Sequence, residues 1–185
     1  MTPLSQSQYA ARLAQAGIDP EMLLDHLGED QLREVLLDRL RTDGTDRASE
    51  EVTNLVWFAE WRALRRLGPA AEQPRLPGRD QLYLLSFAGP TNSYVKVGRT
   101  TRFGVGRLRK LRADAERDGY VLFDAWASEP VTDAHPWEQV VLGELRRRHP
   151  GERRSEYFYG LDYGEARSVV DQQRIRVAPR SAGLE

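Results

Sequence analysis

The chain has 185 residues, of which 40% are hydrophobic and 30% charged, and this composition indicates one globular domain or one domain with a smaller appendage. It has no cysteine, which excludes disulfides, zinc fingers and thiol nucleophiles, and its three histidines disfavour an all-histidine metal site. No long apolar run and no basic segment leading into an apolar one occurs. The sequence therefore predicts neither a membrane span nor a secretory signal, and the cytoplasm is the expected compartment.

Charge is distributed unevenly along the chain, although the formal net charge is only -1. Residues 1–78 carry nine arginines and 13 acidic residues, whereas residues 79–179 carry 17 basic and 14 acidic residues. The stretch 96–112 holds seven basic side chains and no acidic one. Such a block can meet nucleic-acid phosphates, or it can be a solvated helix face. The nucleic-acid interpretation assigns binding roles to Arg99, Arg102, Arg109, Lys110 and Arg112.

The first 70 residues carry helical signals. Residues 5–8 match a capping box, and residues 19–20 combine an N-cap aspartate with proline at the first helical position. Apolar residues then keep helical spacing to about residue 41, and a longer helix is expected over 52–68. A helix-turn-helix DNA reader is disfavoured here, because a recognition helix needs basic flanks and this segment is acidic.

The periodicity changes after residues 69–79, which contain three prolines and are expected to be a linker. The apolar run 82–87 predicts a strand, and the alternation over 93–98 predicts a second strand that completes a β-hairpin. The remaining elements are expected to be a helix over 105–115, a strand over 120–127, a helix over 137–145, a short extended segment over 156–159 and a final helix over 165–172.

This order of elements predicts an α/β fold, with a small three-stranded mixed or antiparallel sheet flanked by helices and preceded by an all-helical segment. The expected domain division places a helical segment at 1–68, a proline-rich linker at 69–79, the α/β domain at 80–178 and a tail at 179–185.

Motifs of several enzyme classes are absent from the chain. There is no G-x-S-x-G elbow, no phosphate-binding P-loop and no H-E-x-x-H zinc motif. Neither of the two lysines has an acidic residue two positions before it, as the lysine of many restriction-type nucleases does.

Five features instead follow one another through the α/β part. They are the motif QLY at 81–83, KVG at 96–98, Arg107 at the start of a helix, Glu138 on the next helix and EYF at 156–158. In this order and spacing, the chain over about 82–172 resembles the GIY-YIG nuclease superfamily, in particular a phage and bacterial branch whose second signature reads K-I-G. The resemblance says nothing about residues 1–78.

The resemblance implies a metal-dependent endonuclease that hydrolyses phosphodiester bonds in DNA. Its implied catalytic residues are Tyr83, Lys96, Arg107, Glu138 and Glu156. Glu138 is the implied ligand of Mg²⁺ or Mn²⁺. Tyr83 is the expected general base, because the ammonium of Lys96 on the neighbouring strand favours the phenolate. The alternatives are a core aromatic for Tyr83 and a solvent-facing side chain for Lys96. Arg107 is the expected phosphate clamp, whereas Glu156 either supports the site or caps a segment.

Glu138 also has an argument of its own. On a helical wheel it shares a face with Val141, Leu142 and Leu145, and a carboxylate on an apolar stripe is costly unless something pairs with it. This favours a functional role, and the alternative is a first-turn glutamate that complements the helix dipole. His135 is either an auxiliary acid or a residue of the loop before the helix.

Two further hypotheses stay open from the sequence. One is a catalytically inactive nucleic-acid-binding module on the same scaffold, because Leu142 stands where the branch often has a histidine. The other is a protein-interaction module. The expected partner is DNA, with RNA as a further candidate and a protein partner or self-association through the N-terminal helices. No membrane partner is expected.

Overall fold

The computed structural model describes residues 3–43, 49–74, 77–150 and 153–177. Its N-terminal part is helical, as predicted. The side chain of Ser5 accepts a hydrogen bond from the Gln8 backbone, so the predicted capping box opens the first helix. Asp19 caps the second helix in the same way. The four helices are α1 (Gln6–Gln15), α2 (Pro20–His26), α3 (Glu29–Asp43) and α4 (Glu50–Leu67).

The remaining described elements form the α/β part. A short 3₁₀ helix, Gly68–Ala71, follows α4 within the expected linker region. The predicted tail, 179–185, lies outside the described residues. The strands and helices that follow are β1 (Gln81–Ala88), β2 (Ser93–Thr100), a π-helical turn (Phe103–Leu108), α5 (Arg109–Arg117), β3 (Val121–Ala127), α6 (His135–Arg148), β4 (Arg153–Arg154), β5 (Tyr157–Tyr159) and α7 (Tyr163–Val177).

The described strands form one antiparallel sheet in the order β3-β1-β2-β5-β4. The prediction of three strands is therefore too low. The three long strands match the prediction, and the extended segment expected at 156–159 contains β5. The other addition, β4, has only two residues, which is too short to show an alternating pattern.

Each face of the sheet is covered by a different set of helices. Side chains alternate along a strand, so Leu82 and Leu84 of β1 face one way and Tyr83 and Leu85 the other. The even-numbered pair packs with α6 and α7 in one apolar core. The odd-numbered pair belongs to a second core that includes residues of the N-terminal helices and α5. We call these the α6 face and the α4 face.

Helix α4 packs against β3, and ion pairs with a buried aspartate join the two elements. Asp124 of β3 is fully buried, and its Oδ2 lies 2.6 Å from the Arg66 guanidinium and 3.6 Å from that of Arg62. Arg62 also donates a hydrogen bond to the Phe123 carbonyl. The helical segment therefore supplies a layer of the α/β part. The division of the chain into domains stays a prediction.

None of the helices in the described part of the chain is long and apolar enough to cross a bilayer.

Candidate active site

The β1–β2 hairpin places the predicted site residues at its open end, away from the turn. Tyr83 pairs with Gly98, and the preceding residue, Leu82, pairs with Arg99. Alternation puts Tyr83, Lys96 and Gly98 on the α4 face, whereas Arg99 is on the α6 face. Tyr83 and Arg99 therefore lie on opposite faces of the hairpin, at neighbouring positions of its register.

Tyr83 is fully buried on the α4 face. Its ring stacks on Phe103, with centroids 5.3 Å apart, and its hydroxyl accepts a hydrogen bond of 3.1 Å from Nε of Arg107. A side chain at position 98 would collide with this hydroxyl, so glycine is required opposite the ring. Burial raises the pKa of Tyr83 to about 12, although Arg107 acts to lower it. Burial therefore acts against the phenolate, and the role of Tyr83 as a base stays a prediction.

Arg107 owes its position to the π-helical turn. Its backbone N–H donates to the Arg102 carbonyl at 2.7 Å, five residues back, which is the π pattern. Gly104 within this turn lies so close to the 3₁₀ helix that an added Cβ would be 2.6 Å from the Ala70 carbonyl oxygen. The chain segment after α4 therefore packs directly against the turn that aims Arg107 at Tyr83.

Lys96 is buried. The alternating pattern of β2 would ordinarily place a lysine at this position in solvent. Only 1% of its side chain is exposed, and Nζ lies 2.8 Å from Oε2 of Glu156. The ammonium also lies 3.9 Å from the centre of the Tyr157 ring, which stands opposite Lys96 in the β2–β5 register. A buried cation needs such partners, and Glu156 thus has a defined role as the counter-ion of Lys96.

These residues form one electrostatic unit, which we call the Tyr83 cluster: Tyr83, Lys96, Arg107, Glu156 and Tyr157. Burial raises the pKa of the Tyr83 hydroxyl most, and Glu156 and Tyr157 raise it further. Burial acts to lower the pKa of the Arg107 guanidinium, but Tyr83, Tyr157 and Glu156 together raise it. The structure therefore brings four of the five predicted catalytic residues together.

Glu138, the fifth, belongs to a second group on the α6 face. It lies in the first turn of α6, and 8% of its side chain is exposed. Its Oε2 is 3.4 Å from Nε of Arg99 and 3.6 Å from Nδ1 of His135, whose side chain is half exposed. Arg99 also bonds to Oδ2 of Asp80 at 2.8 Å. We call Asp80, Arg99, His135 and Glu138 the Glu138 cluster.

The two clusters lie on opposite faces of the hairpin, and no hydrogen bond or ion pair joins them among the described residues. They meet around the end of β2. The described pairing of β2 with β5 stops at Val97, whose N–H donates to the Glu156 carbonyl. Beyond it, residues 98–100 have no described partner on that edge. A ligand lying across this edge would have the Tyr83 cluster on one side and the Glu138 cluster on the other.

The five predicted nucleic-acid-binding residues are placed unequally. Arg102 and Arg109 are exposed, Lys110 is exposed beside Asp114, and 40% of the Arg99 side chain is exposed. Arg112 is different, because it is buried in an ion pair of 2.7 Å with Glu60. The prediction that Arg112 binds nucleic acid is therefore wrong, because its guanidinium is paired inside the fold and is not available to a phosphate.

In the described part of the chain, no three histidine, aspartate or glutamate side chains lie close enough together to hold a metal ion. Glu138 can still offer one carboxylate, and Mg²⁺ often binds through one or two carboxylates with water in its other positions. Leu142, one turn further along α6, is buried in the apolar core.

Sequence reasoning missed Asp80, which sits one residue before β1. The available signal was its place at the start of a buried strand, on the same side of the hairpin as Arg99. A single aspartate before a strand has many structural explanations, so this signal becomes informative only once the hairpin register is known.

Comparison with known proteins gives one match. The T5orf172 domain family matches residues 81–174, slightly more than half of the chain. The matched range begins with β1 and ends within α7, so it includes every residue of both clusters except Asp80. No curated protein and no solved structure matches the chain.

Proposed function

The chain belongs to the T5orf172 domain family, which is linked to GIY-YIG-like domains, and from this premise we propose that it is a metal-dependent endonuclease that cuts DNA. One observation carries the proposal. Tyr83, Lys96, Arg107 and Glu156 are gathered on one face of the β1–β2 hairpin, while Glu138 lies on the other face, near the end of β2 whose outer edge has no described partner. This arrangement supports the GIY-YIG assignment made from the signatures.

Hydrolysis of a phosphodiester requires an attacking water, neutralisation of the charge that develops on the phosphate, and help for the leaving oxygen. Arg107 fits the second task, because its guanidinium is only partly buried and is held in place by Tyr83 and the π-helical turn. The charge of Lys96 is already balanced by Glu156, so we assign it a smaller share of this neutralisation than Arg107.

Glu138 is the residue that would hold Mg²⁺ or Mn²⁺. Its carboxylate is buried, of the hard-oxygen type these ions prefer, and already faces a cationic group, so the donor chemistry fits. When bound, the ion supplies Lewis-acid stabilisation of the phosphate oxygens. Because Glu138 lies on the α6 face, the ion would act from that face of the sheet.

Tyr83 is assigned to the attacking water. A neutral phenol does not take a proton from water, so Tyr83 acts as the base only as a phenolate, which forms by releasing its own proton to the solvent. Arg107 donates a hydrogen bond to this oxygen. Arg107 works in this direction, because its charge lowers the pKa of Tyr83 against the effect of burial.

The role of Tyr83 predicts a particular pH dependence of cleavage. Because the pKa is raised to about 12, the phenolate fraction increases with pH throughout the neutral range. We expect kcat/KM to rise by about tenfold per pH unit between pH 7 and 9. Replacing Tyr83 with phenylalanine should slow cleavage at pH 8 by about a hundredfold or more and flatten this dependence.

A matched control is Tyr120→Phe. The Tyr120 hydroxyl donates to Asn92 at the turn end of the hairpin, away from the cluster. This variant should keep the rate and pH profile of the parent. If Tyr83→Phe retained the slope of the parent, a different group would be accepting the proton.

DNA is the proposed substrate because exposed basic side chains surround the first turns after β2. Replacing Arg102, Arg109 and Lys110 together with glutamine should weaken DNA binding. It should also reduce the slope of log affinity against log salt by about 0.9 for each phosphate that these side chains neutralise. Fluorescence anisotropy of a labelled duplex at several salt concentrations measures both quantities.

The control for charge alone replaces Arg146, Arg147 and Arg148 at the end of α6, which removes the same number of positive charges. An equal change of slope in both triple variants would indicate general electrostatics instead of a defined surface. Parallel titrations with single-stranded RNA decide between DNA and RNA.

A second candidate function is a nucleic-acid-binding module without catalysis. It is favoured by one observation, the ion pair between Glu138 and Arg99, which already neutralises the carboxylate. This module would bind DNA with the same salt dependence and show no cleavage with any divalent metal. A protein partner for the N-terminal helices and a cytoplasmic location stay predictions.

A further inference from the structure

Asp80 is held next to the helix that carries Glu138. Its backbone N–H donates to the Val131 carbonyl at 2.7 Å, and the Val131 N–H donates back at 2.8 Å. Its carboxylate oxygen Oδ2 accepts a hydrogen bond of 3.3 Å from the N–H of Ala134, the residue directly before α6. These three bonds fix the Asp80 carboxylate beside the first turn of α6.

Asp80 and Glu138 share one cation. The Arg99 guanidinium offers Nη1 to Asp80 at 2.8 Å and Nε to Glu138 at 3.4 Å. Both carboxylate side chains are more than nine-tenths buried, whereas 40% of the Arg99 side chain is exposed. The two buried carboxylates thus attract positive charge, and the Arg99 guanidinium reaches them from the solvent side.

The second oxygen of Asp80 is unsatisfied. Oδ1 is buried and has no hydrogen-bond partner among the described residues. Leaving a carboxylate oxygen without a partner inside a protein is costly, and such atoms commonly accept a water or an ion. The Arg99 guanidinium therefore leaves at least one carboxylate oxygen of the two side chains without a hydrogen-bond donor among the described residues.

We propose that Asp80 and Glu138 together form a divalent-cation site, and that the Arg99 guanidinium fills this site in the free protein. The inference deepens the proposed nuclease function and rests on it in assigning Glu138 to the metal. Two carboxylates with water and phosphate in the other positions suit Mg²⁺ or Mn²⁺. Binding of the ion releases Arg99, whose exposed charge is then free for a phosphate across the end of β2.

A purely structural role for Asp80 makes a different prediction. In that case Asp80 only anchors the loop before α6, and its replacement would change stability without affecting metal affinity. Arg99 separates the two roles, because a structural anchor gains nothing from the loss of Arg99, whereas a cation site loses its internal competitor.

The test is a titration of the full chain with Mn²⁺ in the absence of DNA. Electron paramagnetic resonance measures the concentration of free Mn²⁺ at each step and so gives the binding affinity. Asp80→Asn and Glu138→Gln should each weaken Mn²⁺ binding by about tenfold or more. Arg99→Gln should tighten it by about fivefold, the scale expected for removing one unit charge a few ångströms away in water. Glu129→Gln, which removes an exposed carboxylate from the preceding loop, should bind as the parent does.

Thermal melts accompany each titration. If Asp80→Asn fails to fold, Arg99→Gln decides the question, because glutamine removes the charge and keeps an amide that donates hydrogen bonds to the carboxylates. Unchanged Mn²⁺ affinity in Arg99→Gln, or parent-like affinity in folded Asp80→Asn, overturns the proposal.

Failure of this inference and failure of the nuclease proposal look different. The predicted affinity pattern without any DNA cleavage supports the cation site and contradicts the nuclease. Metal-dependent cleavage together with parent-like Mn²⁺ binding by Asp80→Asn supports the nuclease and overturns the two-carboxylate site.

Discussion

Replacing Glu138 with glutamine is expected to reduce metal-dependent cleavage of plasmid DNA to background while leaving DNA affinity close to that of the parent. Glutamine keeps the size of the side chain but removes the charge that attracts a divalent ion. DNA affinity depends mainly on the exposed basic residues, which this change does not touch. Gel assays of nicked product and anisotropy measurements of DNA binding check the two halves of the prediction.

The matched control is Glu144→Gln on the same helix. Glu144 is paired with Arg147 and Arg148 at the helix surface and should be dispensable for cleavage. A role of Glu138 in folding alone predicts undiminished cleavage in Glu138→Gln. It also predicts a neutral or raised melting temperature, because a buried charge would be gone. Undiminished cleavage would defeat the assignment of Glu138 to the metal.

Replacing Arg112 with methionine is expected to have the largest effect on stability. Arg112 of α5 reaches between the two parts of the chain, donating to Glu60 of α4, to the Tyr9 hydroxyl of α1 and to the Leu4 carbonyl. Glu60 also accepts a hydrogen bond from the Tyr9 hydroxyl. Without Arg112 the Glu60 carboxylate would be buried beside a single neutral donor. Breaking a buried ion pair from one side costs about 3–5 kcal/mol of unfolding free energy.

Urea denaturation of the parent and of Arg112→Met measures this cost. Lys110→Met, two residues away and exposed, is the matched control and should change stability little. Removing both charges in a double variant, Arg112→Met with Glu60→Met, should recover much of the loss, because no unpaired charge stays buried. A loss below about 1 kcal/mol in Arg112→Met would mean that water reaches Glu60 and that the pair is not dry.

The hairpin could be predicted from the sequence because its signal is local. The apolar run of β1 and the alternation of β2 follow from which side chains face a core, and the structure confirms both strands within two residues. The order of the signatures predicts that Tyr83 and Arg107 belong to one site, but it does not predict the hydrogen bond between them. Its cause, a π-helical turn held by close packing at Gly104, leaves no readable pattern.

The partners of buried charges could not be predicted, because they lie far away in the chain. Lys96 looks like a solvent-facing residue until Glu156 is brought beside it by the pairing of β2 with β5. Arg112 looks like part of a basic surface until Glu60, on a helix before the linker, is found against it. A charge is assigned to the surface by default, and only tertiary contacts can overrule that assignment.

The proposed function depends most on whether the chain breaks phosphodiester bonds at all. Incubation of the full chain with supercoiled plasmid, with Mg²⁺ or Mn²⁺ and with a chelator in parallel, measures this directly. We expect nicked or linear product with either metal and none with the chelator, and none from Glu138→Gln under the same conditions. Intact plasmid with every divalent metal tried, at protein concentrations where anisotropy shows the DNA to be bound, would contradict the nuclease function.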